Sequence, residues 1–204
     1  MKNKQLILLL EKSAELFKKY GIKNLTMDDV AKELGMSKKT IYRFVENKSE
    51  LVKLTLQNYL DAERKQLEAV IKPAENSVDE MIQMVSYFYN QVRDFNPSAL
   101  TDLQKYYPET WDIYHKHRFH FMLDRIEENV KIGVKQGVYR NDLNAGIISK
   151  IYIGGIEMLV DQDLFPVKKY VYIEIYKEYL NYHLRGIVSP KGLKYLEQHN
   201  LFKS

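Results

Sequence analysis

Apolar residues return at helical spacing from the start of the chain. Leu6, Leu9 or Leu10, Ala14 or Ser13, and Phe17 trace one side of a first helix predicted over Lys2–Tyr20. Lys18 and Lys19 sit in its last turn, where cations complement the helix dipole, and Gly21 follows as a stop. A second helix opens at Thr26, a good N-cap, with Asp28 and Asp29 in its first turn. Val30, Ala31 and Leu34 give its inward face, and Gly35 ends it in a left-handed turn. Ser37 caps a third helix carried to Phe44, with Ile41 and either Phe44 or Val45 facing the core. Lys38, Lys39, Thr40, Tyr42 and Arg43 are left to face outward. The second and third helices are too short to stand alone, so the stripe of the first is expected to cover them.

The pattern stays helical to the end. A long fourth helix is predicted from about Asn47 to Lys72, closed by Pro73. Ser77-Val78-Asp79-Glu80 has the form of a capping box and starts a helix to about Asp94. Asn96-Pro97 opens a short helix to Tyr107. Further helices are expected over about 109–136, 144–160 and 167–185, the last ended by Gly186, with a tail helix from Ser189-Pro190. No segment alternates convincingly, although V-Y-I-E-I-Y is locally ambiguous. The expected fold is all-α. An N-terminal three-helix helix-turn-helix domain (1–46) precedes a larger helical domain (47–204) that could sense something and hold two copies together. The helix from 47 to 72 joins them, with no Gly/Ser-rich linker between.

Charge sharpens the reading of the first part. Residues 1–60 hold 12 Lys+Arg against 7 Asp+Glu, whereas the remainder holds 19 against 20. A positive excess confined to the helix-turn-helix is the footprint of a local nucleic-acid surface. Lys and Arg can pair with phosphates or guanine edges, and Thr can meet a phosphate or a thymine methyl group. A Tyr hydroxyl can anchor a phosphate, and the free N–H groups at Thr26-Met27 are a further phosphate site. The chain has no cysteine, which fits a reducing cytoplasm. The apolar run Leu6–Leu10 ends at Glu11-Lys12 without a cleavage site, so export is not expected, and no apolar run is long enough to span a membrane.

Several anchors in fixed register carry a resemblance. Ala14, Phe17, Gly21, Thr26, Ala31, Gly35, Ser37, Tyr42, Lys48 and Leu51, within T-M-D-D-V-A … G-M-S … I-Y-R-F-V-E-N-K-S-E-L, resemble the DNA-binding domain of the TetR family of bacterial transcriptional regulators. The one departure is Val45, where members often carry an aromatic; Phe44 stands beside it. The resemblance implies that Thr40, Tyr42 and Lys48 meet the DNA backbone and that Lys38 and Lys39 approach phosphates or bases. Arg43 could contact a phosphate or pair with Glu46.

The rest of the chain holds the candidate control elements. Tyr87, Trp111, Tyr114 and Met122 are candidate contacts for a small effector, since aromatics are dense over residues 87–121 and such regulators usually bind an effector between these helices. For each residue singly, the alternative is plain core. His117, His120 and Asp124 share a helix face at i, i+3, i+7, a spacing compatible with zinc or nickel. Spacing alone is weak ground, and no metal or cofactor is expected. Ile147, Ile148, Ile151, Tyr152, Gly154, Gly155, Met158 and Leu159 make one apolar surface; Ile173, Tyr176, Leu180 and Leu184 make another. The resemblance implies that these join two subunits through four helices. No Ser-His-Asp or Cys-His arrangement, phosphate loop or cofactor fingerprint suggests an enzyme. The expected function is a cytoplasmic, ligand-responsive, homodimeric repressor that binds a palindromic double-stranded DNA operator and no membrane. An activator or ligand-independent regulator is the alternative, with a helical enzyme or carrier far behind.

Overall fold

A computed structural model describes residues 2–93 and 95–199. Its described residues form α1 (Lys2–Tyr20), α2 (Met27–Leu34), α3 (Lys38–Ile41), α4 (Lys48–Ile71), α5 (Ser77–Val92), α6 (Ser98–Tyr106) and α7 (Pro108–Lys116). A π-helical segment, His117–Met122, follows, then α8 (Leu123–Lys135), α9 (Ala145–Met158), α10 (Tyr172–Ile187) and α11 (Pro190–Gln198). The only strand-like pairing among them is an isolated antiparallel bridge, Tyr139 to Val188. No helix among the described residues is long and apolar enough to cross a membrane. The all-α expectation holds.

Two compact units divide the chain. The first takes residues 1–64 and 94–115. Its core gathers Leu9, Leu10 and Phe17 of α1, Val30 and Ala31 of α2, Ile41 of α3, Leu51 and Val52 of α4, and Ala99 and Leu103 of α6. Helices of eight and four residues, α2 and α3, owe their stability to this burial rather than to propensity. Gly21 and Gly35 stand at φ 79° and 61°, the left-handed stops that the sequence pattern required.

The second unit takes residues 65–93 and 116–204. Leu67, Met81, Met84, Val85, Ile126, Val130, Ile153, Leu180 and Leu184 form its interior. A buried polar knot ties α5 to α8. Asn129 donates to the Ser77 carbonyl at 2.9 Å, and the Tyr139 hydroxyl donates to the same oxygen at 3.0 Å. Burial pushes that hydroxyl well above its usual range. The α8 backbone approaches closely at Gly133, where a Cβ would lie 2.2 Å from the Tyr139 ring.

Several element boundaries differ from expectation, each for a physical reason. The third helix stops at Ile41 instead of Phe44, and 42–44 make a turn. The cap of α5 is Asn76, which accepts from Val78 and Asp79 N–H groups at 3.0 and 3.1 Å. Ser77 is instead buried in the knot, its N–H donating to Gln136 at 2.9 Å. The expected end of that helix at Asp94 lies outside the described residues. The helix expected over 109–136 contains the π-helical segment. The final long helix begins at Tyr172, not Val167, and runs through Gly186 to Ile187.

Candidate nucleic-acid interface

Local capping sets the geometry of the reading face. The Thr26 hydroxyl accepts from the Asp29 N–H at 3.2 Å, while the Asp29 carboxylate accepts from the Thr26 N–H at 2.8 Å and its hydroxyl at 2.7 Å. These bonds hold the Asp29 carboxyl below its ordinary pKa. Ser37 repeats the device for α3, its hydroxyl accepting from the Thr40 N–H at 3.1 Å. Between the two caps, Gly35 donates to the Lys32 carbonyl at 3.2 Å and Met36 to the Ala31 carbonyl at 2.9 Å. The turn is therefore fixed by backbone bonds and two hydroxyls, and the α3 register follows.

That register buries Ile41 and Val45 and leaves Lys38, Lys39, Tyr42 and Arg43 exposed, with Thr40 half-buried. Phe44, the alternative to Val45, is half-buried against the same core. The structure thus brings Lys38, Lys39, Thr40, Tyr42 and Arg43 together on one four-residue helix and the turn after it. The Lys38 ammonium reaches back to Asp28 on α2 at 2.9 Å, a bond that raises its pKa and keeps it cationic. Both partners are solvated, so this pair is weak and a phosphate can compete for the ammonium.

Lys48 is placed differently. Its ammonium is half-buried and donates to the Ile22 carbonyl at 2.6 Å and the Lys23 carbonyl at 3.3 Å. Desolvation lowers its pKa, while Asp102 and Asp29 oppose the shift. Two of its three donors are spent on the α1–α2 loop, and the third is available to an incoming phosphate. Sequence reasoning missed Asp102, which accepts from the Ile22 and Lys23 N–H groups of that same loop. No pattern could have found it, because the partners lie 80 and 79 residues apart.

The effector candidates fall in both units. Trp111 and Tyr114 pack on the first unit's core with ring centroids 5.3 Å apart. In the second unit, the Tyr87 hydroxyl donates to Gln66 at 3.0 Å, and Met122 is buried at the end of the π-helical segment. The three candidate metal ligands are not gathered. His117 is buried whereas His120 and Asp124 are exposed, because the π-helical segment that starts at His117 breaks the i, i+3, i+7 register. Among the described residues no group of three His, Asp or Glu side chains could hold a metal ion.

The two apolar surfaces assigned to a partner subunit also separate. Ile147, Ile151, Gly154 and Met158 form an exposed stripe on α9, while Tyr152 and Leu159 turn inward. On α10, Tyr176, Leu180 and Leu184 are buried within their own chain. Gly155 faces inward too: a Cβ there would lie 2.2 Å from the Tyr179 hydroxyl, which donates to the Tyr152 carbonyl at 2.8 Å. Gly155 therefore serves a contact inside the subunit, and Gly154 meets open space.

Comparison with known proteins agrees with this geometry. The sequence profile of the bacterial regulatory proteins of the tetR family matches residues 9–54, the stretch from the middle of α1 into α4. The HTH-type transcriptional regulator YvaF of Bacillus subtilis (strain 168) is 28% identical over 165 residues, covering 78% of this chain and 83% of its own. A TetR family regulator from Agrobacterium tumefaciens shares the fold with a TM-score of 0.77 at 14% identity, over 93% of this chain and 100% of that one. A transcriptional regulator from Saccharomonospora viridis in complex with choline matches with a TM-score of 0.76 at 21% identity, over 92% and 99%. FadR of Bacillus subtilis in complex with stearoyl-CoA matches with a TM-score of 0.62 at 15% identity, over 88% and 98%. The doubly capped helix-turn-helix and the basic α3 are those of a DNA-binding transcriptional regulator, and residues 9–54 match the DNA-binding domain of the tetR family.

Proposed function

We propose that the chain is a homodimeric, effector-responsive repressor that acts in the cytoplasm on a palindromic operator. The observation that carries the reading is the exposed set Lys38, Lys39, Tyr42 and Arg43 on a helix whose opposite side, Ile41, is wholly buried. Each head, residues 1–46, would lay α3 in the major groove of one half-site. Thr40, Tyr42, Lys48 and the N-terminus of α2 at Thr26 would grip phosphates; Lys38, Lys39 and Arg43 would reach phosphates or base edges.

The α9 stripe supports the dimer. Ile147, Ile151 and Met158 are 57%, 54% and 44% exposed, and with Gly154 they recur at i, i+4, i+7, i+11 along one edge. A second copy of the same stripe would bury them around a two-fold axis, the small Gly154 allowing close approach. Ile151→Glu is expected to turn a dimer into a monomer by light scattering at micromolar concentration. It should also weaken operator binding by about 100-fold, because two linked heads lose their shared avidity. A wild-type monomer, or an Ile151→Glu variant that stays dimeric, would contradict the interface.

For the effector, the π-helical segment supports a site in the body, since such segments recur at functional sites. Two proteins of this fold, from Saccharomonospora viridis and Bacillus subtilis, are in complex with choline and with stearoyl-CoA, which supports a small-molecule site here. Tyr87 and Met122 remain candidate contacts in the second unit, and Trp111 and Tyr114 remain candidates within the first. Effector binding would shift the population towards a state whose two heads no longer match the operator spacing.

A further inference from the structure

The loop between α1 and α2 is held from both sides of its backbone. The N–H groups of Ile22 and Lys23 donate to one carboxylate oxygen of Asp102, on α6, at 2.9 and 2.8 Å. The carbonyls of the same two residues accept from the Lys48 ammonium, on α4, at 2.6 and 3.3 Å. Gly21, at φ 79°, lets α6 approach: a Cβ there would lie 2.7 Å from the Ser98 hydroxyl and 3.2 Å from the Asp102 carboxylate. Two residues of a surface loop thus have all four backbone polar groups bound to two opposite charges. Three residues further on, Thr26 caps α2, and α2 packs on α3.

We propose that Asp102 is a positioning residue for DNA binding: by clamping the Ile22 and Lys23 N–H groups against Lys48, it sets where the α2 N-terminus stands relative to the DNA backbone. The proposal rests on the DNA-binding reading above. Asp102 itself bears a charge that repels phosphate, so it acts through the loop and not by contact. Its acceptor oxygen is the required feature. The carboxylate holds two N–H groups whose alternative partner is water, and without it the loop is free to shift together with the cap that follows.

The test uses the full chain and, as probe, the duplex that the wild-type protein retains from a random-sequence pool. Binding is measured over a salt series, with hydrogen exchange at the Ile22 and Lys23 amides. Asp102→Ala is expected to speed exchange at both amides and weaken binding about tenfold, the effect of losing charged hydrogen bonds. The log–log salt slope should stay at the wild-type value, because no Lys or Arg that meets a phosphate is removed. Asp102→Asn, whose carbonyl oxygen can still accept both N–H groups, is expected to stay within about threefold of wild type. If Asp102→Ala does not fold, Asp102→Ser, which withdraws the acceptor but stays polar, carries the same expectation. Binding within twofold of wild type despite fast amide exchange would overturn the proposal. So would an Asn variant as weak as the Ala variant, or a changed salt slope. Failure of the underlying reading looks different: the wild-type chain would then retain no duplex in a salt-dependent way, and the proposal would go with it.

Discussion

Alanine at Gly192 is expected to destabilise the second unit by about 3 kcal/mol, at the upper end of overpacking costs. Gly192 is buried in α11, where the added Cβ would sit 2.0 Å from the Val138 carbonyl oxygen and 3.2 Å from the Val188 Cβ. The first obstacle is backbone, so no side-chain rotation relieves it. That backbone is also committed: the Val138 carbonyl accepts from Ser189 N–H at 3.0 Å, and the Ser189 hydroxyl donates to the Gly137 carbonyl at 2.7 Å. Moving α11 away breaks these bonds and the Lys191 bond to the Gln136 carbonyl at 3.0 Å. Gly186 provides the control. It lies within α10, exposed and with nothing near its Cβ position, so Gly186→Ala should stabilise by roughly 1 kcal/mol through helix propensity alone. Thermal unfolding should separate the two in opposite directions, by several degrees for a chain of this size. An unchanged midpoint for Gly192→Ala would show that α11 does not seat on Val138 as described.

Mild acid is expected to weaken the same unit through one histidine. His183 on α10 is buried beside the rings of Tyr152 and Tyr179, with centroids at 5.0 and 6.0 Å, and its Nε2 has no hydrogen-bond partner. Desolvation lowers its pKa to about 4, so the folded chain holds it neutral. The unfolded chain takes up that proton near pH 6.5. Its contribution is therefore intact above about pH 6.5 and is lost as pH falls towards 4, amounting to about 2 kcal/mol between pH 7 and 5. Burial also pushes the Tyr152 hydroxyl up to about 12, so neither neighbouring ring supplies a compensating charge in this range. Urea unfolding at pH 7 and pH 5 reads the effect, and His183→Leu should remove most of the difference. A wild-type midpoint that does not change between the two pH values would contradict a buried, unpartnered imidazole.

Which features could be read from sequence depended on how far apart the interacting residues lie. Thr26, Asp29, Gly35 and Ser37 act within a few residues of one another, and the caps and turn around α2 and α3 stand where the pattern put them. The outward set on α3 followed, because burying Ile41 decides the register of a short helix. Distant partners explain the misreadings. Asn76 and Ser77 are both capping residues, and the choice fell to Asn76 because Ser77 is drawn into contacts with Gln136 and Asn129, 59 and 52 residues away. Gly186 does not end α10. The helix runs on until Val188, in extended backbone, pairs with Tyr139, and Ser189 then caps α11 ahead of Pro190. The π-helical segment leaves no mark in composition or spacing. It undid the apparent face shared by His117, His120 and Asp124. The Asp102 clamp joins residues about 80 apart and was likewise silent. Leu180 and Leu184 show a further limit: helical periodicity reports an apolar face but not whether a partner subunit or the chain itself covers it.

The central claim is that the exposed face of α3 grips DNA, and the salt dependence of binding tests it most directly. The measurement is the affinity of the full chain for its selected duplex between about 50 and 300 mM salt, for wild type and for Lys39→Ala. Four cationic side chains per head, Lys38, Lys39, Arg43 and Lys48, would give a dimer a log–log slope of about −4 to −7, depending on how many meet phosphate. Removing Lys39 from both heads should weaken binding and make the slope shallower by about 2. A Lys39→Ala variant with unchanged affinity and slope, or a wild-type chain whose binding does not respond to salt, would contradict the account.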